Sequence, residues 1–287
     1  YFNSKAGGAM RNYITQARSI KAIVDLGHFQ PFEATTYVAI TLLTKQENSH
    51  IAYYLYDEET KQPTDKHTLE YGDILADDGT FLFDKDTSVY KVLASAGVQK
   101  LCIVKNGITT LLDEFFIADE FPFTKYVIPI VKASTGSQER CIFPYTKSGR
   151  LIPYESLGDN LELSKRYTEY KDRLLCRDLA RGTSWQEFGR AQGIKDVYSK
   201  KYAINTLIRD ERDIKFTVCP PGTGVYGGLY ILTEVPEEKL RSIILSKGFV
   251  LFVQALGKYK SGGYYTFSSK ELQLYLNYKL SETKLLD

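Results

Sequence analysis

The chain has 287 residues, 43% hydrophobic and 25% charged, with a formal net charge of +2. That balance belongs to a globular protein with one large core or two modest ones, and no window reaches the roughly 20 apolar residues of a membrane span. A charge so near zero excludes a globally polycationic nucleic-acid binder, so any basic surface has to be local. The start carries no basic-then-apolar signal segment, and the expected location is cytoplasmic. It opens at Tyr1 with Met10 as its only methionine, as expected of a piece of a longer protein. Cys102, Cys141, Cys176 and Cys219 show no CxxC spacing, and His28, His50 and His67 no ligand-like pairing. Neither a metal site nor a redox motif is expected, and the cysteines read as reduced core or surface residues.

In chain order, residues 9–18 (AMRNYITQAR) predict a short helix after Gly7-Gly8. IKAIVDLG (20–27), TTYVAITLLTK (35–45) and HIAYYLYD (50–57) predict three strands. Their apolar runs do not alternate, which predicts a sheet covered on both faces. From residue 58 the texture turns polar and turn-rich, a candidate domain boundary. Short strands follow at 100–107, 113–119 (DEFFIAD), 126–134 and 140–149. Leu163, Tyr167, Tyr170 and Leu174 recur at helical spacing over 163–180, with Ser164 placed to cap the start. Residues 201–208 predict a strand, 215–233 a hairpin, and the stretch after Pro236 one broken helix or two consecutive ones. KYKSGGYYTF (258–267) is a glycine-hinged loop that runs into another short element.

The densest chemistry lies between Lys165 and Lys201, with ten Lys/Arg against five Asp/Glu and interleaved Tyr167, Tyr170, Trp185, Phe188 and Tyr198. Such a surface suits phosphates, because each neutralised phosphate releases counterions. A solvated helix face with ordinary ion pairs would give the same composition. In the loop at 258–267, Gly262-Gly263 permits close backbone approach, while Lys258, Lys260, Ser261, Tyr264 and Tyr265 offer phosphate donors and stacking faces. A plain surface hairpin is the alternative. PPGTGVYGG (220–228) lacks the lysine and the context of a phosphate loop and reads as a turn. The acidic pairs Asp77-Asp78, Asp113-Glu114 and Asp119-Glu120 read as loop charge, and no cysteine has a base partner that would make it a nucleophile.

Residues 20–45, IKAIVDLGHFQPFEATTYVAITLLTK, resemble the last strands of γ-class adenine-specific DNA methyltransferases, including those of Type II and Type IIG restriction–modification systems. In that family an aromatic after the "iiDfg" strand lies near the flipped adenine, and Phe32 occupies its place here. Further segments resemble the family's target recognition domain in the family's order. They are NGITTLLDEFFI (106–117), RCIFPYTKSGRLIP (140–153), WQEFGRAQG (185–193) and the tail at 240–276. The family's Asn-Pro-Pro-Tyr/Phe signature and its glycine-rich loop for S-adenosylmethionine are both missing.

The resemblance implies an α+β chain, with the remnant of an α/β methyltransferase sheet at 1–57 and a mixed, β-rich target recognition domain with several helices at 58–287. It implies a chain without catalytic residues or cofactor of its own, in a parent that uses S-adenosylmethionine and flips its base, with or without a fused endonuclease. Expected partners are double-stranded DNA and an upstream catalytic domain of the same polypeptide, with no membrane. Phe32 is the expected stacking wall for the flipped base. The expected DNA-binding set is Arg181, Trp185, Arg190, Gln192, Lys195, Lys200, Lys201, Lys258, Lys260, Ser261, Gly262, Gly263 and Tyr264. The competing reading is a non-catalytic carbohydrate- or protein-binding module, which the 22 tyrosines and 15 phenylalanines would also suit.

Overall fold

A computed structural model describes residues 2, 5–33, 37–72, 74, 81, 83, 89, 92, 93 and 99–284. The chain divides into two compact units. One takes Tyr1–Gln99, Leu207–Asp213 and Ser242–Asp287, the other Lys100–Thr206 and Ile214–Arg241. Sheets and helices are mixed throughout, as the α+β class requires.

The first unit begins with the helix Gly8–Ala17, which ends where Arg18 takes a left-handed conformation (φ 46°) and returns its N–H to the last turn. The strands β1 (Ile20–Asp25), β2 (Ala39–Leu43), β3 (His50–Asp57) and β4 (Gln62–Glu70) form one sheet in the order β2-β1-β3-β4. β1 and β3 run parallel, while β2 and β4 flank them antiparallel. The polar stretch at residue 58 is the turn between β3 and β4, where the Asp57 carboxylate accepts the N–H groups of Glu59 and Thr60, both at 2.9 Å.

Ile14, Ile20, Ile23, Ile51, Tyr53 and Leu69 bury one face of this sheet. The other face carries Ala22 and Val24 beside Leu42 and Ile40 on one side and Ala52 and Tyr54 on the other. None of these is buried, and Ile40 and Leu42 are 61% and 52% exposed. The apolar runs therefore predict two covered faces where the described chain covers one.

The same unit holds a small sheet ordered β10-β15-β14, made by Leu207–Ile208, Tyr264–Thr266 and Tyr259–Lys260. Beside it lie the helices Lys247–Ala255 and Ser269–Lys284, joined by ring contacts of Phe249 and Phe252 with Tyr275 near 5 Å. The last element is thus a helix of 16 residues rather than a short one.

The second unit has two sheets. β5 (Cys102–Asn106), β9 (Lys201–Ile204), β11 (Phe216–Cys219) and β13 (Leu229–Thr233) stack in the order β11-β9-β13-β5. β6 (Ile117–Ala118), β7 (Val127–Lys132), β8 (Gln138–Ile142) and β12 (Gly224–Tyr226) form the other, ordered β12-β7-β8-β6. The hairpin expected at 215–233 is not formed. β11 and β13 both pair with β9, and β12 leaves them to join β7 in parallel. The expected strand at 113–119 is a helical turn, Asp113–Phe116, before β6, because Leu111 has φ 59° and Thr110 and Asp113 bond each other locally. The helix expected over 163–180 breaks at Tyr170 into Leu161–Glu169 and Lys171–Leu175, and Asn160, not Ser164, caps it by accepting from the Leu163 N–H at 3.0 Å. After Pro236 two helices follow, Glu237–Ile244 and Lys247–Ala255, the second capped by Ser246.

Where β12 passes between the two sheets, two glycines meet: the Gly107 N–H donates to the Gly228 carbonyl at 2.9 Å. A Cβ on Gly228 would lie 2.6 Å from both the Ala133 Cβ and the Ile204 oxygen. Gly228→Ala is therefore expected to cost about 1–3 kcal/mol by overpacking. Gly72→Ala, with open space around its Cβ, should stay within about 0.5 kcal/mol of the parent. Denaturant titration of both variants checks the pair, and equal midpoints would refute the packing argument.

Candidate nucleic-acid interface

In the first unit the glycine-hinged loop forms a tight hairpin, with Ser261–Gly263 as a single helical turn between β14 and β15. Gly262 and Gly263 take φ 73° and 77°, conformations that side chains other than glycine resist. Lys260, Ser261 and Gly262 are exposed at the tip, while Gly263 and Tyr264 are half-buried. Lys258 is turned to another task and ion-pairs with Glu271 of the final helix.

The end of β1 is bound into this hairpin. The Asp25 carboxylate accepts from the Gly27 N–H at 2.9 Å, from the Tyr53 hydroxyl at 2.5 Å and from the Tyr259 hydroxyl at 3.0 Å. Burial and the adjacent carboxylate push the Tyr259 phenol well above its ordinary range, so it stays a donor. The His28 Nδ1 lies 3.2 Å from the Lys260 carbonyl, which can only accept, so Nδ1 carries the proton. The His28 ring stands edge-on to Tyr259 and Tyr265, at 4.9 and 4.8 Å. Beyond it, Phe32 sits on a bend and is 63% exposed, so it is not a core aromatic.

Sequence reasoning missed a neighbour of this hairpin. β10 pairs with β15, and the turn that follows carries Arg209, Asp210, Glu211, Arg212 and Asp213. The Arg209 guanidinium lies 4.4 Å from the Tyr264 ring centre and bonds Asp213 at 3.0 and 3.2 Å. Arg212 bonds Asp210 at 2.7 Å and helps pull its carboxyl down to about 2. The available signal is a run of five consecutive charged residues, RDERD.

In the second unit most of the expected basic stretch is spent internally. Arg166 donates to the Phe115 and Glu114 carbonyls, and Arg177 to those of Leu174, Thr110 and Trp185. Arg173 pairs with Glu114, while Arg190 bonds the Asp178 and Gly189 carbonyls at 2.8 Å. Gln192 donates to the Gly107 carbonyl at 2.8 Å and to Thr109 Oγ1 at 3.1 Å. Trp185 packs between Tyr154 and Tyr167 at 5.4 and 5.6 Å. Lys171, Arg181 and Lys195 are exposed and form no ion pair among the described residues. Lys200 is exposed beside the Tyr202 ring.

Lys201 is a correction. It is 1% exposed, and its Nζ donates to the carbonyls of Asp196, Val197 and Ser199 at 2.7–3.0 Å. It therefore anchors the loop before β9 and is withdrawn from any ligand. PPGTGVYGG forms a turn, then β12, then another turn, and so does not lead into a helix. Asp113 and Glu114 serve Thr110 and Arg173, while Asp77 and Asp78 lie outside the described residues. Burial pushes the thiols of Cys102, Cys141 and Cys219 up, away from the thiolate. Among the described residues no group of three or more His, Cys, Asp or Glu is placed to hold a metal ion, and no helix is long and apolar enough to cross a membrane.

Burial lowers the Lys201 ammonium to about 8. Between that value and the lysine's ordinary one, the folded chain has released a proton that the unfolded chain still holds, so this residue's contribution to stability rises with pH. Lys201→Met lacks that contribution. Its deficit in melting temperature against the parent is expected to widen between pH 7 and pH about 9.5. A deficit that does not change with pH would show that the amine is not held this way.

No family model matches the chain, and no curated protein matches it. Among solved structures, the Type IIL restriction–modification enzyme MmeI in complex with DNA is similar, with a TM-score of 0.58 and 11% identity. The similarity covers 91% of this chain and 35% of that one. The Type IIG restriction endonuclease BpuSI aligns over 94% of this chain and 38% of its own at 10% identity, but its TM-score of 0.31 is too low to compare folds. The chain thus shares the fold of part of MmeI and spans about a third of that enzyme's length.

Proposed function

We propose that this chain binds double-stranded DNA as the target recognition region of an adenine-specific DNA methyltransferase in a restriction–modification enzyme, together with the last strands of its catalytic domain. The observation that carries the reading is the fold shared over 91% of the chain with part of MmeI, an enzyme solved with DNA bound. Adenine specificity and base flipping rest on the sequence resemblance around Phe32. S-adenosylmethionine would be held elsewhere in the parent; the glycine-rich segment at 220–228 runs through β12 without reaching a helix and so does not form a nucleotide loop.

The exposed cations sort the work. Arg181, Lys195, Lys200 and Lys260 are free to reach phosphates, which fix position without reading sequence. The Arg209–Asp213 turn has three carboxylates against two guanidiniums and would repel a phosphate row. Its mixture of donors and acceptors suits base edges better.

Duplex affinity is expected to fall steeply with salt, as a fluorescence anisotropy titration at several chloride concentrations would record. Replacing Arg181, Lys195 and Lys200 with alanine should reduce the logarithmic salt slope by about 0.9 for each phosphate no longer neutralised. A slope near zero in the parent chain would favour a sugar- or protein-binding module instead.

Phe32→Ala is expected to leave thermal unfolding almost unchanged, because the ring is exposed. In the parent enzyme with its catalytic domain, the same change should slow methylation about five- to a hundredfold, the worth of one base–aromatic stack. Phe32→Trp should keep most of the activity. If Phe32→Ala methylates at the parent rate, the ring does not wall the base pocket.

A further inference from the structure

Among the described residues the non-glycine positions with a left-handed backbone are Arg18, Lys61, Leu111 and Tyr126. Arg18 ends a helix, and Lys61 lies in the turn between β3 and β4. The Tyr126 hydroxyl is tied to the Ser156 carbonyl at 3.0 Å. Leu111, at φ 59°, is the aliphatic one, and its side chain is 39% exposed rather than drawn into the core. A leucine in that conformation is strained, and such strain persists only where the surroundings enforce it.

Here they do. The Thr110 carbonyl accepts from the Gly189 N–H at 3.1 Å and from Arg177 at 2.6 Å. The Arg190 N–H reaches the Thr109 carbonyl at 3.1 Å, and the Leu112 N–H reaches the Thr110 hydroxyl at 3.0 Å. Beneath the leucine, residue 189 has to be glycine, since a Cβ there would overlap the Leu111 side chain. The result is a braced knuckle with an apolar tip.

Arg190 and Gln192 flank this tip from the segment bridged to Thr109. The Arg190 side chain stays 43% exposed despite its bonds to Asp178. Gln192 is exposed and commits its amide nitrogen to Gly107 and Thr109, which leaves its oxygen to accept. The carboxylates of Asp113 and Glu114 are taken up by Thr110 and Arg173. An apolar tip between a cationic donor and a neutral acceptor has little to offer a row of phosphates. It matches a base step, whose faces are apolar and whose edges carry donors and acceptors.

We propose that Leu111 is a wedge that enters DNA and unstacks one base step, with Arg190 and Gln192 against the edges of the adjoining pairs. The inference rests on the duplex-binding reading, and gives this surface a task separate from phosphate contact and from that of Phe32.

The test uses the whole chain and a duplex that the chain selects from a randomised pool. The duplex is remade with 2-aminopurine at single positions, because the fluorescence of that base rises when it unstacks. Binding is expected to raise the signal at one step, and the rise should persist in Phe32→Ala. Leu111→Gly relieves the left-handed backbone and should melt no lower than the parent. It should bind about ten- to a hundredfold more weakly, the worth of burying one leucine, and lose the fluorescence rise. Its logarithmic salt slope should match the parent's, because leucine neutralises no phosphate. Leu111→Met should keep most of the affinity and of the rise.

A Leu111→Gly chain that binds and unstacks DNA as the parent does would overturn the proposal and leave the tip for a protein partner. So would a variant that melts lower and loses binding only with its folded fraction, as a structural cap over Gly189 predicts. No rise in the parent, or one that vanishes in Phe32→Ala, would overturn it as well. Failure of the parent to bind any duplex would instead sink the DNA reading, and the wedge with it, before a variant is made.

Discussion

Asp25 ends β1 with a carboxylate that receives a backbone N–H, the hydroxyl of Tyr53 from the neighbouring strand and the hydroxyl of Tyr259 from a hairpin more than 200 residues later. A buried or half-buried carboxylate needs such donors, and each phenol needs an acceptor that will not compete for its proton. The bond set therefore satisfies three groups at once, and it ties the start of the first unit to its end across 234 residues. His28, one residue past the turn glycine, repeats the connection through the Lys260 carbonyl. The candidate DNA hairpin and the exposed Phe32 both hang from this junction. Remove the carboxylate and two phenols would be left facing each other without its oxygens to accept from them.

The second unit uses charge in the opposite sense. Three of its arginines, Arg166, Arg177 and Arg190, donate to carbonyl oxygens at the ends of short helices and loops, where regular structure leaves acceptors unpaired. Arg177 alone joins Leu174, Thr110 and Trp185. A guanidinium with five donors suits that task better than an ammonium. Lys201 does it with three carbonyls of a single loop, at the expense of a buried charge. A basic stretch can thus be dense and yet offer few free cations.

These uses explain what the sequence could convey. β1 and β3 are legible within a residue or two because their apolar, β-branched runs act locally. The α+β class and the two helices after Pro236 are legible for the same reason. The pairing of β11 and β13 with β9, and the diversion of β12 to β7, depend on contacts between residues far apart that no local pattern encodes. Nor can spacing separate Lys201, buried under carbonyls, from Lys200 beside it on the surface. The hairpin at 258–267 is legible because glycine pairs constrain the backbone they sit in. The Arg209–Asp213 turn is not, because its character comes from Tyr264, which reaches it only through the β10–β15 pairing.

Among the described residues the sheet order of the first unit ends at β2, whose Ile40, Leu42 and Leu43 are 61%, 52% and 49% exposed. A terminal strand with large exposed aliphatic side chains is a template for another strand wherever its outer edge is open. For the chain in solution such an edge would favour self-association through strand pairing, which grows with concentration and competes with any measurement of binding. The choice of anion then matters as much as ionic strength. Sulfate strengthens the burial of such a surface by its exclusion from it, so a sulfate series would report clustering along with electrostatics. A lysine at position 42 would blunt the edge in the way natural edge strands are blunted, on a side of the sheet that the Asp25 junction does not use.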